Sequence, residues 1–308
     1  MKYVYLFIGL LLFYACGNKR EEKGKQETEK TLTFEPVSVP LLISEPEQRA
    51  IYLIQHYWDT YDFTDTAYVH LPEVTEQAFS NYVAAFSRTD PKEVVASIKA
   101  MLKKAEANPV VYLYFTGLYE KYLYDPNAPM RNEEFYIPVL ESMLASDQLN
   151  EEEKIRPAHL LEIALKNRVG QVATDFKFTL ANGKTGEMHA LESDYLILFF
   201  YNPGCDACRV MTKELAGDPL IQKGLDKKKL ILLAVYPDEE WLEWEKHLSE
   251  LPGQWMNTYD ISCSIKENEL YDLKAIPTLY LLDRNKVVLL KDATFNQLRA
   301  YLYENSQI

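Results

Sequence analysis

The sequence is poor in histidine, cysteine and positive charge, and each shortage narrows the functions that the chain can have. It has five histidines and four cysteines in 308 residues, and the histidines show no metal-ligand spacing, so no metal site is predicted. Asp and Glu outnumber Lys and Arg by 46 to 33, and this acidic balance disfavours nucleic acid as a partner. The N-terminal apolar run, Tyr3 to Ala15, is shorter than the roughly 20 residues that a membrane-spanning helix needs.

That N-terminal run predicts a signal peptide over residues 1–15. The run follows Met1-Lys2 and ends at Ala15-Cys16, and a small residue directly before a cysteine resembles the lipobox cut by signal peptidase II. We therefore expect a lipid on Cys16 that anchors the protein to a membrane of the cell envelope. Phe13 and Tyr14 are bulkier than the usual residues of the box, so a plain secreted or anchored form is the alternative.

Residues 16–34 are predicted to form a disordered tether. The stretch Gly17 to Thr33 is rich in Lys, Arg, Glu and Gln, and so polar a segment buries too little surface to fold. Fully stretched, roughly 17 residues reach on the order of 55 Å. The charged group Lys19 to Glu22 is either part of this solvated linker or a sorting signal, because it resembles the export signals of Bacteroidetes lipoproteins. We expect the protein to lie at the periplasmic face of the membrane, with the cell surface as the alternative location.

Residues 35–168 carry helix signals throughout and predict an all-α domain of five to seven helices. Asp90-Pro91 and Asn108-Pro109 each place a capping side chain before a proline suited to the first helical position. Asn150 is followed by three glutamates, which the helix dipole favours in a first turn. One predicted apolar face at helical spacing consists of Val94, Ile98, Met101, Leu102 and Ala105.

One predicted helix of this domain is crowded with aromatic residues: Tyr112, Tyr114, Phe115, Tyr119, Tyr122 and Tyr124. They either pack in the core between helices or line a groove for an extended partner. The stretch Tyr122 to Tyr136, together with Tyr57-Trp58-Asp59 and Asn167 to Gly170, resembles the helical domain of unknown function that precedes thioredoxin-like domains in Bacteroidetes lipoproteins. That resemblance implies no chemistry.

Residues 169–308 alternate between strand and helix signals and predict an α/β fold. Asn182-Gly183 is a strong hairpin-turn signal between two short strands. The predicted strands are 175–180, 185–191, 195–201, 229–236, 255–259, 279–282 and 287–290, and the predicted helices are 206–217, 238–248 and 293–303. The continuous apolar run 229–236 is typical of a buried parallel strand.

Two motifs within this fold favour a thiol redox site. Cys205-Asp206-Ala207-Cys208 lies between a predicted strand and a predicted helix, where two cysteines close a small disulfide ring and the helix N-terminus stabilises the first thiolate. By itself this spacing also occurs in zinc knuckles and structural loops. Pro277, in Ile276-Pro277-Thr278, suits a cis peptide bond facing the cysteines, because cis bonds are essentially confined to X-Pro.

Together these motifs resemble the thioredoxin superfamily, and Val169 to Phe176 with Asn182-Gly183 is similar to the opening of its TlpA/ResA and AhpC/TSA branch. The resemblance covers residues 169–308. It implies a C-terminal α/β thioredoxin fold preceded by the all-α domain.

The implied function is a membrane-tethered thiol-disulfide oxidoreductase. Cys205 would be the nucleophile and Cys208 the resolving cysteine, while Ile276, a cis Pro277 and Thr278 would bind the substrate strand. The redox-active disulfide Cys205–Cys208 would be the redox group, with no further cofactor. Protein thiols and disulfides, with an upstream electron donor, are the implied partners.

The chain departs from the family pattern where protons are handled. Phe199 stands where thioredoxins carry a buried aspartate, and Met211 stands where ResA-like proteins carry a glutamate. Glu214, Asp238 or water would then handle the proton in place of that carboxylate, or else the site reacts slowly and is specialised. Gly204 replaces the tryptophan that commonly precedes the motif.

Two further residues bear on the kind of reaction. Asp206 places a negative charge beside the Cys205 thiolate, and a less stabilised thiolate favours a lower potential, as does the Ile-Pro-Thr triplet of thioredoxin itself. We therefore expect a disulfide reductase over an oxidant. Asn202 stands where a peroxidatic cysteine needs a threonine, which disfavours peroxidase activity.

Cys263 is the cysteine that these assignments leave over. It is either buried and inert or a partner for another thiol. A second function also stays open, that of a binding or assembly lipoprotein whose helical domain is functional and whose cysteine pair is structural.

Overall fold

The structure, a computed structural model, describes residues 32–305 and residue 308. Predictions that concern the signal peptide, Cys16 and the tether up to residue 31 lie outside the described residues. Residues Phe34–Ile308 form one unit, in which we distinguish a helical region, residues 34–168, from a sheet region, residues 169–308. Within the described part of the chain, no helix combines the length and the apolar character needed to cross a membrane.

The helical region begins its helices where the capping signals predict. The Asp90 carboxylate accepts from the Lys92 amide at 2.7 Å, and the Asn108 side chain accepts from the Val110 amide at 2.9 Å. Asn150 and Glu153 form a reciprocal capping box. The α-helices of this region are α1 Pro46–His56, α2 Thr75–Ala84, α3 Pro91–Ala105, α4 Pro109–Tyr119, α5 Glu133–Ala145 and α6 Glu151–Ala164.

An aromatic core holds these helices together. Trp58, between α1 and α2, packs edge-on against Phe115 of α4 with ring centroids 5.2 Å apart. The hydroxyl of Tyr82 lies 2.6 Å from that of Ser97, which donates to the Ile54 carbonyl at 2.7 Å, so buried polar groups are paired across three helices. The predicted apolar face of α3 is buried throughout.

The aromatic helix is longer than α4, because a π-helical turn, Glu120–Tyr124, continues it. Tyr112, Phe115 and Tyr119 are fully buried. The other three members of the set, Tyr114, Tyr122 and Tyr124, are partly buried and pack against the same core. Most of this aromatic surface therefore serves packing between helices.

The sheet region contains a seven-stranded mixed sheet with the order β2-β1-β5-β4-β3-β6-β7. Strand β3 pairs in parallel with β4 and antiparallel with β6. The strands are β1 Lys177–Leu180, β2 Thr185–Glu187, β3 Tyr195–Phe200, β4 Leu230–Tyr236, β5 Met256–Tyr259, β6 Thr278–Asp283 and β7 Val288–Leu290. The helices are α7 Asp206–Gly217, α8 Pro219–Asp226, α9 Trp241–His247, α10 Ser264–Glu267 and α11 Phe295–Asn305.

Strand β3 lies inside the sheet, between β4 and β6, and is covered on both faces. Ile197 and Phe199 belong to a core cluster that includes Leu215 of α7 and Leu298 of α11. Leu196, Leu198 and Phe200 belong to a second cluster on the other side, with Phe176 and Tyr271. A strand buried on both faces needs a continuous apolar run, which explains the unbroken sequence from 195 to 200.

The structure confirms the predicted strands and helices of this region, with shifts of one or two residues at several ends and four larger differences. Strand β2 ends at Glu187, where a 3₁₀ turn, Met188–Ala190, replaces the end of the predicted strand. Helix α9 begins at Trp241 rather than 238. Helices α8 and α10 were not predicted, although Asp218 caps α8 and Pro219 occupies its first position. The Asn182-Gly183 turn joins β1 to β2 with Gly183 at φ 78°, a conformation that favours glycine.

Candidate active site

Cys205 and Cys208 lie at the start of α7, just beyond the end of β3. Cys205 is the N-cap residue of the helix, and its amide donates to the Asn202 carbonyl at 3.3 Å to close the preceding turn. Gly204 has φ 74°, so the turn into the helix uses a backbone conformation that side chains disfavour. This explains why glycine stands directly before the motif in place of tryptophan.

The two thiols are close and unequal in environment. The Cys208 amide donates to the Cys205 Sγ at 3.2 Å, as a capping bond from the first turn of the helix. Cys205 is partly exposed, whereas Cys208 is buried, and both are free thiols in this structure. Burial, and then the hydrogen bond with Cys205, raise the pKa of the Cys208 thiol to about 12.

The Ile276–Pro277 peptide bond is cis and faces the cysteines. Strand β6 begins at Thr278, which pairs with Phe200 at the end of β3, so the loop before β6 lies beside the start of α7. As a result the Cys205 Sγ lies 3.9 Å from the Ile276 carbonyl oxygen. Ile276 and Pro277 are partly exposed. Thr278 is buried, and its hydroxyl donates to the Ala275 carbonyl, which keeps that side chain turned into the loop.

Asp206 does not stand alone beside the cysteines. Its carboxylate forms an ion pair with Arg209, one helical turn further along α7, and both side chains are largely exposed. The negative charge that the sequence places next to Cys205 is therefore accompanied by a positive charge at the same helix end.

Phe199 and the two carboxylates suggested from the sequence, Glu214 and Asp238, lie in different surroundings. Phe199 is buried and stacks on Tyr201, with ring centroids 5.4 Å apart. Glu214 is exposed on α7. Asp238 forms an ion pair with Lys266, and with its amide oriented to donate, Asn202 lies 3.2 Å from Asp238 Oδ2.

A cavity of about 280 Å³ opens beside the two cysteines and contains groups that the sequence did not single out. Tyr201, Lys213, His247 and Glu250 line it together with Cys208. The imidazole of His247 lies 2.7 Å from a Glu250 oxygen and 3.0 Å from a Glu243 oxygen, and these hydrogen bonds raise its pKa. Glu243 and Glu250 lie four residues before and three residues after His247. This spacing brings side chains together on a helix, so the sequence could have indicated these two His–Glu pairs.

Cys263 lies apart from the pair, directly before α10, with φ 53°. It is a free thiol of intermediate exposure, and partial burial followed by the nearby Asp260 raise its pKa. Among residues 32–305 and 308, no group of three or more His, Cys, Asp or Glu side chains is arranged to hold a metal ion.

Comparison with known proteins gives the following similarities. Residues 15–167 match the model of a domain of unknown function, DUF5106. A thioredoxin-like protein of known crystal structure from Bacteroides caccae is 49% identical, with a TM-score of 0.88 over 89% of this chain and 99% of that chain. The C-terminal domain of an uncharacterized protein from Bacteroides fragilis is 47% identical, with a TM-score of 0.44 over 44% of this chain and 98% of that chain. No curated protein matches the sequence.

Proposed function

The chain belongs to the family of thioredoxin-like proteins, and from that premise we propose that it is a membrane-tethered thiol-disulfide oxidoreductase that reduces protein disulfides in the cell envelope. The observation that carries the proposal is the position of Cys205. Its sulfur is partly exposed at a helix N-terminus, accepts the Cys208 amide at 3.2 Å and lies across from a cis proline loop. A helix N-terminus stabilises a thiolate there, and the second thiol is within reach to resolve an adduct.

The reaction follows from thiol-disulfide exchange. The Cys205 thiolate attacks one sulfur of a substrate disulfide, forming a mixed disulfide and expelling the other substrate sulfur as a thiolate. Cys208 then gives up its proton and attacks the Cys205 sulfur, which forms the Cys205–Cys208 disulfide and releases the second substrate thiolate. The substrate gains two electrons and the cysteine pair loses two, so an upstream dithiol donor must reduce the pair again.

The cis loop supplies the binding surface in this proposal. The Ile276 backbone lies ahead of β6 and next to Cys205, where an extended substrate segment can pair with it while its disulfide meets the sulfur. Pro277 has no amide hydrogen and keeps that stretch free of further strand pairing. Thr278, with its hydroxyl bonded inside the loop, contributes the loop shape rather than a side-chain contact.

The amino-acid sequence alone supports the membrane tether. We propose that Cys16 carries the lipid and that residues 17–33 let the folded part leave the bilayer surface, with the periplasmic face as the expected side. Metabolic labelling with a radioactive fatty acid tests this: label on the full-length protein that disappears in Cys16→Ser supports the lipid, and unchanged label contradicts it.

The first experiment on the reaction is a glutathione redox titration of the cysteine pair in a tether-free Cys263→Ser protein, read by thiol trapping. A midpoint near that of thioredoxin, about −270 mV, fits a reductase, whereas one near that of DsbA, about −120 mV, assigns the opposite direction. If Cys205 and Cys208 never form a disulfide across the titration, the oxidoreductase proposal fails.

A further inference from the structure

The loop that leads to the cis proline is tied to the helical region by buried charges. Lys274 lies two residues before Ile276, and its Nζ is 2.5 Å from Asp272 Oδ2 and 3.5 Å from Glu133 Oε1 at the start of α5. The same ammonium lies over the ring of Tyr124, 4.1 Å from its centroid. The three charged side chains are only 6 to 16% exposed, so water screens these contacts little.

Glu133 is held from a second side. Its Oε2 lies 2.5 Å from Nζ of Lys291, which follows β7. Lys291 also donates to the carbonyls of Ala164 and Lys166 at 3.0 and 2.7 Å, at the C-terminal end of α6, where a cation is favoured. The carboxylate of Glu133 thus bridges two lysines of the sheet region, with one oxygen facing each.

The preceding part of the same loop is attached as well. The Asn167 side chain donates to the Leu270 carbonyl at 2.7 Å, and Lys166 Nζ donates to the Glu269 carbonyl at 3.2 Å. His159 of α6 lies 3.2 Å from the Glu269 carboxylate. Contacts from the helical region therefore reach positions 269, 270 and 274 of a segment that ends at the cis peptide bond.

We propose that the helical region positions the substrate-binding loop of the redox site, with Glu133 as a positioning residue that acts through Lys274 on Ile276. The inference rests on the proposed function and extends it, because it gives the helical region a role in substrate binding. Lys274 cannot swing away from Glu133 and Asp272 without leaving buried charges uncompensated. Ile276 is thereby kept beside Cys205, with its carbonyl oxygen 3.9 Å from the Cys205 sulfur.

The burial of Glu133 is consistent with this arrangement. Burial raises the pKa of its carboxyl group, while Lys291 and Lys274 oppose that rise. One oxygen of Glu133 has no hydrogen-bond partner beyond the 3.5 Å approach of Lys274, so Lys274 is what compensates it.

Glu133→Gln tests the proposal, with Glu134→Gln as the matched control. The neighbouring Glu134 lies in the first turn of the same helix and pairs with Arg168, 3.0 Å away, rather than with the loop. In single-turnover reduction of insulin by the pre-reduced full-length protein, we expect Glu133→Gln to raise the half-saturating insulin concentration about tenfold. The maximal rate and the reaction of Cys205 with glutathione disulfide, which needs no strand pairing, should stay as in the wild type.

A double-mutant cycle keeps the test specific. Lys274→Gln should raise the half-saturating concentration similarly, and the double variant should show no more than the larger single effect, because both changes break one contact. Two results would overturn the positioning role. One is an equal rise of the half-saturating insulin concentration in Glu133→Gln and Glu134→Gln. The other is a Glu133→Gln protein that loses its reactivity with glutathione disulfide to the same extent as its reactivity with insulin.

Hydrogen exchange separates this inference from the proposed function. We expect the peptide spanning residues 272–279 to exchange faster in Glu133→Gln and unchanged in Glu134→Gln. If the wild type reduces neither insulin nor glutathione disulfide, the proposed function fails, and the exchange result alone decides the positioning role. Unchanged exchange in Glu133→Gln contradicts it.

Discussion

The Sγ of Cys205 lies 3.9 Å from the carbonyl oxygen of Ile276, although 71 residues separate the two in sequence. The antiparallel pairing of β6 with β3 produces this meeting, since Phe200 and Thr278 are partners at the end of the two strands. The sulfur that would attack a disulfide and the backbone that would hold the substrate strand are therefore set by one strand pair. Substitutions that affect the sulfur should therefore be distinguishable in experiment from substitutions that affect the loop.

The roles of the two cysteines should differ in a trapping experiment. With Cys208→Ser, the Cys205 adduct with an oxidised protein cannot be resolved, so we expect mixed disulfides that dithiothreitol reverses. Cys205→Ser should form none and should lower insulin reduction to the background rate. Non-reducing electrophoresis is the measurement, with Cys263→Ser as the control that keeps wild-type behaviour. Equal adducts in Cys205→Ser and Cys208→Ser would refute the assignment of the nucleophile.

Resolution of the mixed disulfide should depend steeply on pH. The thiolate is the attacking form, and burial, the largest cause, raises the pKa of the Cys208 thiol above its ordinary value. Below that pKa the thiolate fraction rises about tenfold per pH unit, so the rate should do the same between about pH 6 and pH 9. A chromogenic aryl disulfide reports this in stopped flow as the second, slower release of chromophore. A rate that is flat over this range would mean that a neighbouring group removes the proton.

Arg209 should offset the charge of Asp206 at the reactive thiol. Removing the cation with Arg209→Gln leaves the Asp206 carboxylate uncompensated beside the Cys205 thiolate, and alkylation of Cys205 by iodoacetamide should slow down. Because both side chains are exposed, the change should be no more than about fivefold and should shrink at high salt. Asp206→Asn in the Arg209→Gln background should restore the rate. A rate that stays low in that double variant would assign the effect to Arg209 alone.

Local signals were enough to predict the elements that carry the site. Helix α7 covers the predicted residues 206–217, because an apolar strand, a cysteine at the cap position and helical spacing all agree there. Helix α8 was not predicted, although it begins with Asp218-Pro219, the same kind of signal as Asp90-Pro91 at the start of α3. The signal for the start of α8 is therefore present in the sequence.

Other parts of the site depend on contacts that no local pattern encodes. His247 lines the same cavity as the cysteines, but the scattered histidines show no metal-ligand spacing that would have pointed to this position. The approach of Glu133 to Lys274 joins two regions whose sequences show no shared pattern. Such contacts follow from tertiary packing, which the spacing of residues along a single helix or strand does not reveal.

The aromatic residues of α4 should prove to be core residues when tested by substitution. Phe115 is fully buried against Trp58, Tyr61 and Phe63, so Phe115→Ala should lower the free energy of unfolding by about 3–5 kcal/mol. Leu113, on the same helix and 44% exposed, is the matched control. Leu113→Ala should change the free energy of unfolding by no more than about 0.5 kcal/mol. Urea denaturation followed by circular dichroism measures both.

The same pair of variants separates packing from partner binding in the helical region. Removing a buried ring leaves a cavity, and this lowers the free energy of unfolding whether or not a partner exists. A ring that serves a partner groove is exposed in the free protein, so its removal costs little stability while a cellular role is lost. If Phe115→Ala unfolds at the same urea concentration as the wild type and the protein still loses its role, the aromatic helix is a binding surface. The burial of Phe115, Tyr112 and Tyr119 leads us to expect the reverse.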